Sequence, residues 1–293
     1  MASGGRGNRF ARRRSQPLLA VAVFVAISPA ALAGTAEDAI AEGDAWYARR
    51  ADGAHGAVAE RAPINAAVAA YRRALAAEPD GLEAVSRLLR AIFFRATFCD
   101  ATRDERVALF DEGRRLGQGG VDRLEQSVVG GDAARTAAIA ARPHAADLYF
   151  WTAVCWGQWA LLRGTLAAAR SGAAGAVRDL AQRLLTLDPA LEQGGADRLL
   201  GRLHHRAPRI PLFTGWISRT KALAHLRRAL ELGPRNTVNQ VFLAEAVLDL
   251  EPQRRDEARR LLEECARSAP RPEYLVEDAY YEAQARELLA RLR

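Results

Sequence analysis

The adjacent histidines His204 and His205 are the first side chains in this sequence that suggest chemistry, because imidazoles ligate metals and carry protons near neutral pH. Neighbouring helix positions point about a hundred degrees apart, and no Cys, Asp or Glu stands three or four residues from either histidine. A ligand set is therefore incomplete, and His205 reads as a packed or hydrogen-bonded histidine rather than a metal ligand. Arg198 and Arg202 are four residues apart and share a helix face. Guanidinium groups grip carboxylates bidentately, so the pair reads either as a clamp for an anionic ligand or as partners of Asp197, Glu231 or Glu245. Asn236 is placed to cap a helix, and Asn239 is the better inward-facing polar contact. No HExxH or GxSxG occurs, and the single lysine, Lys221, follows Thr220 rather than a glycine loop. Metalloprotease, serine-hydrolase and Walker-type phosphate chemistry are thereby excluded. We expect no catalytic residue, no cofactor and no metal.

Two apolar segments could surround the arginines. The segment Asp147–Leu162, DLYFWTAVCWGQWALL, carries Trp151, Trp156 and Trp159 beside Tyr149 and Phe150. As a helix it is apolar almost all round, so it must be buried on several sides. It is too short to cross a membrane and is interrupted by Thr152, Gly157 and Gln158. It is expected at the centre of the fold, either as solid core or with aromatic rings lining a cavity. The segment Pro208–Trp216, PRIPLFTGW, contains Phe213 and Trp216 and is too apolar to be left in water. It packs within the chain, closes a cavity as a lid, or meets a partner subunit.

The elements that position these residues recur along the chain. Ala67, Tyr71, Ala74 and Leu75 repeat at helical spacing before Pro79. The same spacing returns in Val177, Ala181, Leu184 and Leu185 before Pro189, and in Ala222, Leu226, Ala229 and Leu230 before Pro234. It returns again in Ala258, Leu262, Cys265 and Ala266 before Pro270. Pro234 and Pro270 are 36 residues apart, near the roughly 34-residue period of tetratricopeptide repeats. The other spacings are longer, with insertions expected near residues 51–63, 120–131 and 207–217. Thr35 and Thr102 each begin a capping box, with Asp38 and Glu105 three residues on. The helix capped by Thr102 is expected to run to about Leu116, with Gly117–Gly120 and Gly130-Gly131 flanking a short helix. The glycine pairs 119–120, 130–131 and 194–195 read as helix ends. No period-2 segment stands out, so no sheet is expected. The predicted fold is all-α, with degenerate tetratricopeptide-like antiparallel helix pairs stacked around the central aromatic helix.

Composition bounds the setting. The chain has 293 residues, 49% hydrophobic, with a formal net charge of +7. Residues 1–33 hold five arginines and no acid, and removing them leaves 37 Lys+Arg against 35 Asp+Glu, or +2. The basic excess sits in the leader and not in the folded region, which argues against nucleic acid as a partner. That leader has an arginine-rich start, the apolar run Leu18–Ile27 and the small-residue sequence Ala31-Leu32-Ala33. It reads as a signal peptide cut after Ala33, leaving residues 34–293 as a single helical domain in the periplasm with no stable membrane span. Cys99, Cys155 and Cys265 allow one disulfide in an oxidising compartment. Cys155 and Cys265 read as small buried hydrophobes, and Cys99, in the loop sequence RATFCDATRDE, as an exposed thiol.

Two stretches carry a resemblance beyond repeat spacing: LYFWTAVCWGQWALLRG, and residues 194–248 from GGADRLLGRLHHRAPRIPLFTGW through NTVNQVFLAEAVL. Together they resemble the periplasmic T-component proteins associated with TRAP-type solute transporters, over roughly residues 40–270. The resemblance implies a tetratricopeptide-like scaffold that associates with a periplasmic solute-binding protein. Lipid-anchored members occur in that family, and no cysteine follows the cleavage site here. The expected function is an exported scaffold for protein–protein interaction, with self-association also open. The alternative is a binder of a hydrophobic or amphipathic carboxylate held by Trp151, Trp156, Trp159 and Arg198.

Overall fold

The computed structural model describes residues 35–211 and 214–292. The arginine-rich leader and Phe213 lie outside the described residues. Thirteen α-helices follow one another among those described: α1 (Ala36–Ala48), α2 (Arg61–Ala77), α3 (Leu82–Phe98), α4 (Arg103–Gln126), α5 (Asp132–Ala140), α6 (Ala145–Arg163), α7 (Thr165–Arg170), α8 (Ala173–Leu187), α9 (Gly195–Arg206), α10 (Arg219–Leu232), α11 (Thr237–Leu250), α12 (Arg255–Arg267) and α13 (Leu275–Arg291). Only isolated bridges, His55 to Val58 and Ala59 to Cys99, join extended backbone among these residues. The all-α, tetratricopeptide-like expectation is met.

Local chemistry sets the helix starts. Thr35 and Thr102 form reciprocal capping boxes with Asp38 and Glu105, and Asn236 accepts from the amides of Val238 and Asn239. Each such cap satisfies amides that the first turn leaves without partners. The four proline-closed repeats are α2, α8, α10 and α12, and each is followed by a helix packed on it: α3, α9, α11 and α13. Small residues sit where the pairs approach. Ala67, Ala74, Ala222, Ala229 and Ala258 have no measurable exposure. Tyr71 fills the space over Gly43 and donates its hydroxyl to Asp44 at 2.6 Å.

The sequence reading ended a helix near Leu116 and took Gly119-Gly120 as a terminus. Instead α4 runs unbroken to Gln126. The reason lies in its neighbour α6. A Cβ on Gly113 would stand 2.7 Å from Cys155 Sγ, and one on Gly117 would stand 2.3 Å from Thr152 Oγ1. Gly113, Gly117 and Gly120 thus form a bare stripe along which α6 docks closely. Gly194 also departs from the helix-end reading: it begins α9, with φ of 84°.

The helices sort into two layers. The concave side is formed by the end of α1 together with α3, α6, α9, α11 and α13, with α7 and the start of α8 also contributing, and the repeat helices α2, α10 and α12 form the outside. The array curls far enough that α13 reaches back to α3. Phe98 and Tyr280 meet edge to face at 5.3 Å, and Arg50 bonds Glu277 at 2.9 Å. The aromatic helix α6 sits centrally, touching α3, α4, α8 and α9. All three cysteines are free and buried, Cys99 included. The exposed-Cys99 expectation fails because its thiol turns in toward the Glu60 carbonyl, 3.8 Å away.

Candidate functional site

Curling the inner helices into a near-closed ring leaves a central chamber of about 680 Å³. That volume falls in the roughly 300–1,000 Å³ range of small-molecule sites. Its wall is aromatic and cationic. Phe93 and Trp151 meet at 5.6 Å, and Trp151 lies edge-on to Phe150 at 4.8 Å. Val154, Gly157 and Leu161 continue this apolar strip along α6. Seven arginines line the same space: Arg50, Arg90, Arg106, Arg198, Arg202, Arg206 and Arg271.

Three of these cations are neutralised directly. Arg50 pairs with Glu277 at 2.9 Å, Arg271 pairs with Asp278 at 2.7 Å, and Arg202 pairs with Glu245. Burial alone would raise the Asp278 carboxyl, but hydrogen bonds from Arg271 and Thr237 outweigh it and hold the group below the usual carboxylate range. Arg198 is different. It is 8% exposed and donates to the Glu192 carbonyl at 3.0 Å and Asn239 Oδ1 at 2.9 Å, yet no carboxylate among the described residues pairs with it. Burial pulls its pKa below the ordinary guanidinium value.

The residues singled out from the sequence fall into three groups. Trp151 and Arg198 line the chamber together, and Arg202 joins them with its guanidinium over Phe242 at 4.1 Å. Trp156 and Trp159 instead face α4, where Arg114 lies over both rings at 4.7 and 4.3 Å. Trp156 also donates to Gln118 at 3.2 Å, so this side of α6 packs on α4, with Trp159 and Arg114 bordering a separate open pocket, while the other side borders the chamber. His205, Asn239 and Trp216 brace the wall. His205 bonds Asp249 at 2.8 Å. Asn239 is wholly buried, and its amide donates to the carbonyls of Ala229 and Gln193. Trp216 packs edge-on to His204 at 5.5 Å and under Arg178 at 4.7 Å, which holds its ring against α8 and α9. Pro208, Ile210 and Thr214 border the chamber.

Sequence reasoning missed Arg90 and Glu192. Arg90 left only a faint trace: an arginine in LLRAIFF one turn before Phe93 and Phe94, on a helix face that also carries Ser86, Arg87 and Thr97. Glu192 left none, because its place depends on a turn in which Glu192, Gln193 and Gly194 all take left-handed backbone, with φ of 50°, 57° and 84°.

Comparison with known proteins agrees with this architecture. The family described as TRAP transporter T-component matches residues 113–293. The chain belongs to that family. No curated protein matches the T-component sequence. Among solved structures it is similar to a thermophilic TPR protein of Thermus thermophilus, with 17% identity and a TM-score of 0.51 over 87% of this chain and 97% of that one. It is also similar to residues 1–338 of Acl4, an assembly chaperone of RpL4, with 17% identity and a TM-score of 0.40 over 78% of each chain. At such identity the Thermus likeness establishes the fold alone. The T-component is thus a TPR-like helical protein of a TRAP transporter system, and no helix among its described residues is long and apolar enough to cross a membrane.

Proposed function

We propose that this T-component is an exported, non-enzymatic scaffold that meets the transporter's solute-binding protein and holds an amphipathic carboxylate in its chamber. Residues 1–33 act as the leader, cut after Ala33, and residues 34–293 form one mature domain in the periplasm. The family and fold are of non-enzymatic kinds, and the chamber offers surface and charge rather than bond-making groups. In this reading Trp151 and Arg198 contact the ligand. Arg202, His205 and Asn239 hold the wall in place, and Trp156 and Trp159 anchor α6 from behind. Trp216 stands beside the rim residues Pro208, Ile210 and Thr214, where the partner protein would dock.

One observation carries the ligand part of this proposal. A buried guanidinium without a paired carboxylate is costly, and Arg198 is one, set in the wall of an aromatic chamber. A carboxylate ligand with an apolar tail would satisfy both features at once. Titrating the intrinsic tryptophan fluorescence with straight-chain carboxylates tests it. The response should saturate, and affinity should rise with tail length as each buried methylene adds up to about 0.8 kcal/mol. A flat response across the series would remove the chamber's role. For the partner, mixing with the purified solute-binding protein should give a complex that co-elutes. Separate elution at high concentration would count against that half of the proposal.

A further inference from the structure

The end of the chamber where α6, α9, α11 and α13 begin holds, besides Arg198, another cation that no described carboxylate pairs with. Arg90, in the middle of α3, points its guanidinium over the Tyr47 ring at 4.1 Å. It makes no hydrogen bond or ion pair with any described residue, and its Nε is buried without a partner. A guanidinium carries five N–H donors and cannot shed its charge in a protein. The hydroxyls of Tyr47 and Tyr274, which border the same space, are likewise free of hydrogen bonds within the described residues.

The charges around Arg90 can be counted. Arg50 is taken by Glu277 and Arg271 by Asp278. Glu273 stands at the rim but is exposed, where solvent and salt screen it. At this end that leaves Arg90, Arg198 and Glu192. Asp44, which also acts on Arg90, is held by Arg87 at 3.1 Å and by the Tyr71 hydroxyl at 2.6 Å. Arg106 and Arg206 line the chamber too, without an ion pair among the described residues. The Glu192 carboxylate borders the chamber close enough to feel both guanidiniums, yet it bonds neither. Burial raises its pKa against the pull of Arg198 and Arg90, as expected of a carboxylate not held by a close partner. Two cations at this end thus share one loosely engaged anion.

We propose that Arg90 and Arg198 together receive the head group of a monoanionic amphiphile, with Glu192 as an internal anion that competes for the same two guanidiniums. The tail then runs along Phe93, Trp151, Val154 and Leu161. This rests on the chamber reading above and adds what that reading lacks: which end takes the head, which charge it carries, and a residue whose removal strengthens binding.

The test compares decanoate with decanol, which share a tail and differ in head charge, on the full-length mature chain by calorimetry at neutral pH. The wild-type protein should prefer decanoate. Arg90→Met should weaken decanoate roughly tenfold to a hundredfold, the range of a lost charged hydrogen bond, and leave decanol unchanged. Glu192→Gln should tighten decanoate several-fold, again without effect on decanol, an outcome that loss of packing would not produce. Should Arg90→Met fail to fold, the Glu192→Gln result decides alone. Equal binding of both probes, unmoved by either variant, would overturn the head-group assignment while leaving a ligand-binding chamber. Binding of neither probe would overturn the chamber and the assignment together.

Discussion

Replacing Gly117 by alanine tests whether α4 and α6 touch as closely as the bare glycine stripe implies. In an ordinary helix interior this change stabilises by up to about 1 kcal/mol, since glycine loses more backbone freedom on folding. Here the new methyl would stand 2.3 Å from Thr152 Oγ1 and 3.0 Å from Leu89 Cδ1. Both neighbours are fully buried, so neither can swing into solvent. Overpacking of this kind costs about 1–3 kcal/mol, which cancels the propensity gain and leaves a net loss of roughly 1–2 kcal/mol. For a domain of this size the melting temperature should fall by about 2–8 °C. Urea unfolding followed by circular dichroism measures the free energy. Gly157→Ala is the matched control, because a Cβ there meets nothing within 4 Å, and it should be neutral or stabilising. Pairing Gly117→Ala with Thr152→Ala should recover much of the loss, because the methyl then fills space the hydroxyl vacates. A Gly117→Ala protein as stable as wild type, or strict additivity in the double variant, would refute the close contact.

Other consequences follow from the same packing. Thr102→Ala removes the capping box at the start of α4 and should cost about 1 kcal/mol in urea unfolding, with the fold unchanged by circular dichroism. His204 is held neutral, its pKa lowered from 6.5 to about 4, first by burial and then by the nearby charges of His225 and Lys221. The unfolded chain therefore binds a proton that the folded one refuses, so stability contributed by this residue is lost as pH falls from 6.5 toward 4. A His204→Gln variant should lose less stability over that window, and identical pH profiles would contradict the assignment. Arg50→Gln breaks the pair with Glu277 that fastens α13 to the first helices. Hydrogen exchange over residues 273–281 should quicken while α8 and α10 keep their protection.

Much of the architecture was legible because it is periodic. The alanine, leucine and proline spacings marked α2, α8, α10 and α12, each a helix whose contacts are repeated and local. The aromatic run marked α6 because no side of it could be solvated. What escaped was set by contacts distant in sequence. Gly117 and Gly120 look like terminators until Thr152 and Leu148 are brought beside them, and only the ring closure by Phe98 and Tyr280 reveals that the inner face encloses a chamber. The same holds at the site. Arg198 was visible beside Arg202, but whether each had a carboxylate partner depended on the fold: Glu245 reaches Arg202, and no described carboxylate reaches Arg198. Trp156 and Trp159 share a helix with Trp151 but not its face, and helical spacing alone did not say which face would border the void.

Native mass spectrometry of the mature protein, titrated with a straight-chain carboxylate, bears most directly on the chamber. The arrangement of Arg90, Arg198 and Trp151 predicts one tightly retained molecule per chain, displaced by other monoanionic amphiphiles and lost when both arginines are replaced. Repeated weak adducts without saturation, or undiminished retention in the doubly substituted protein, would contradict it.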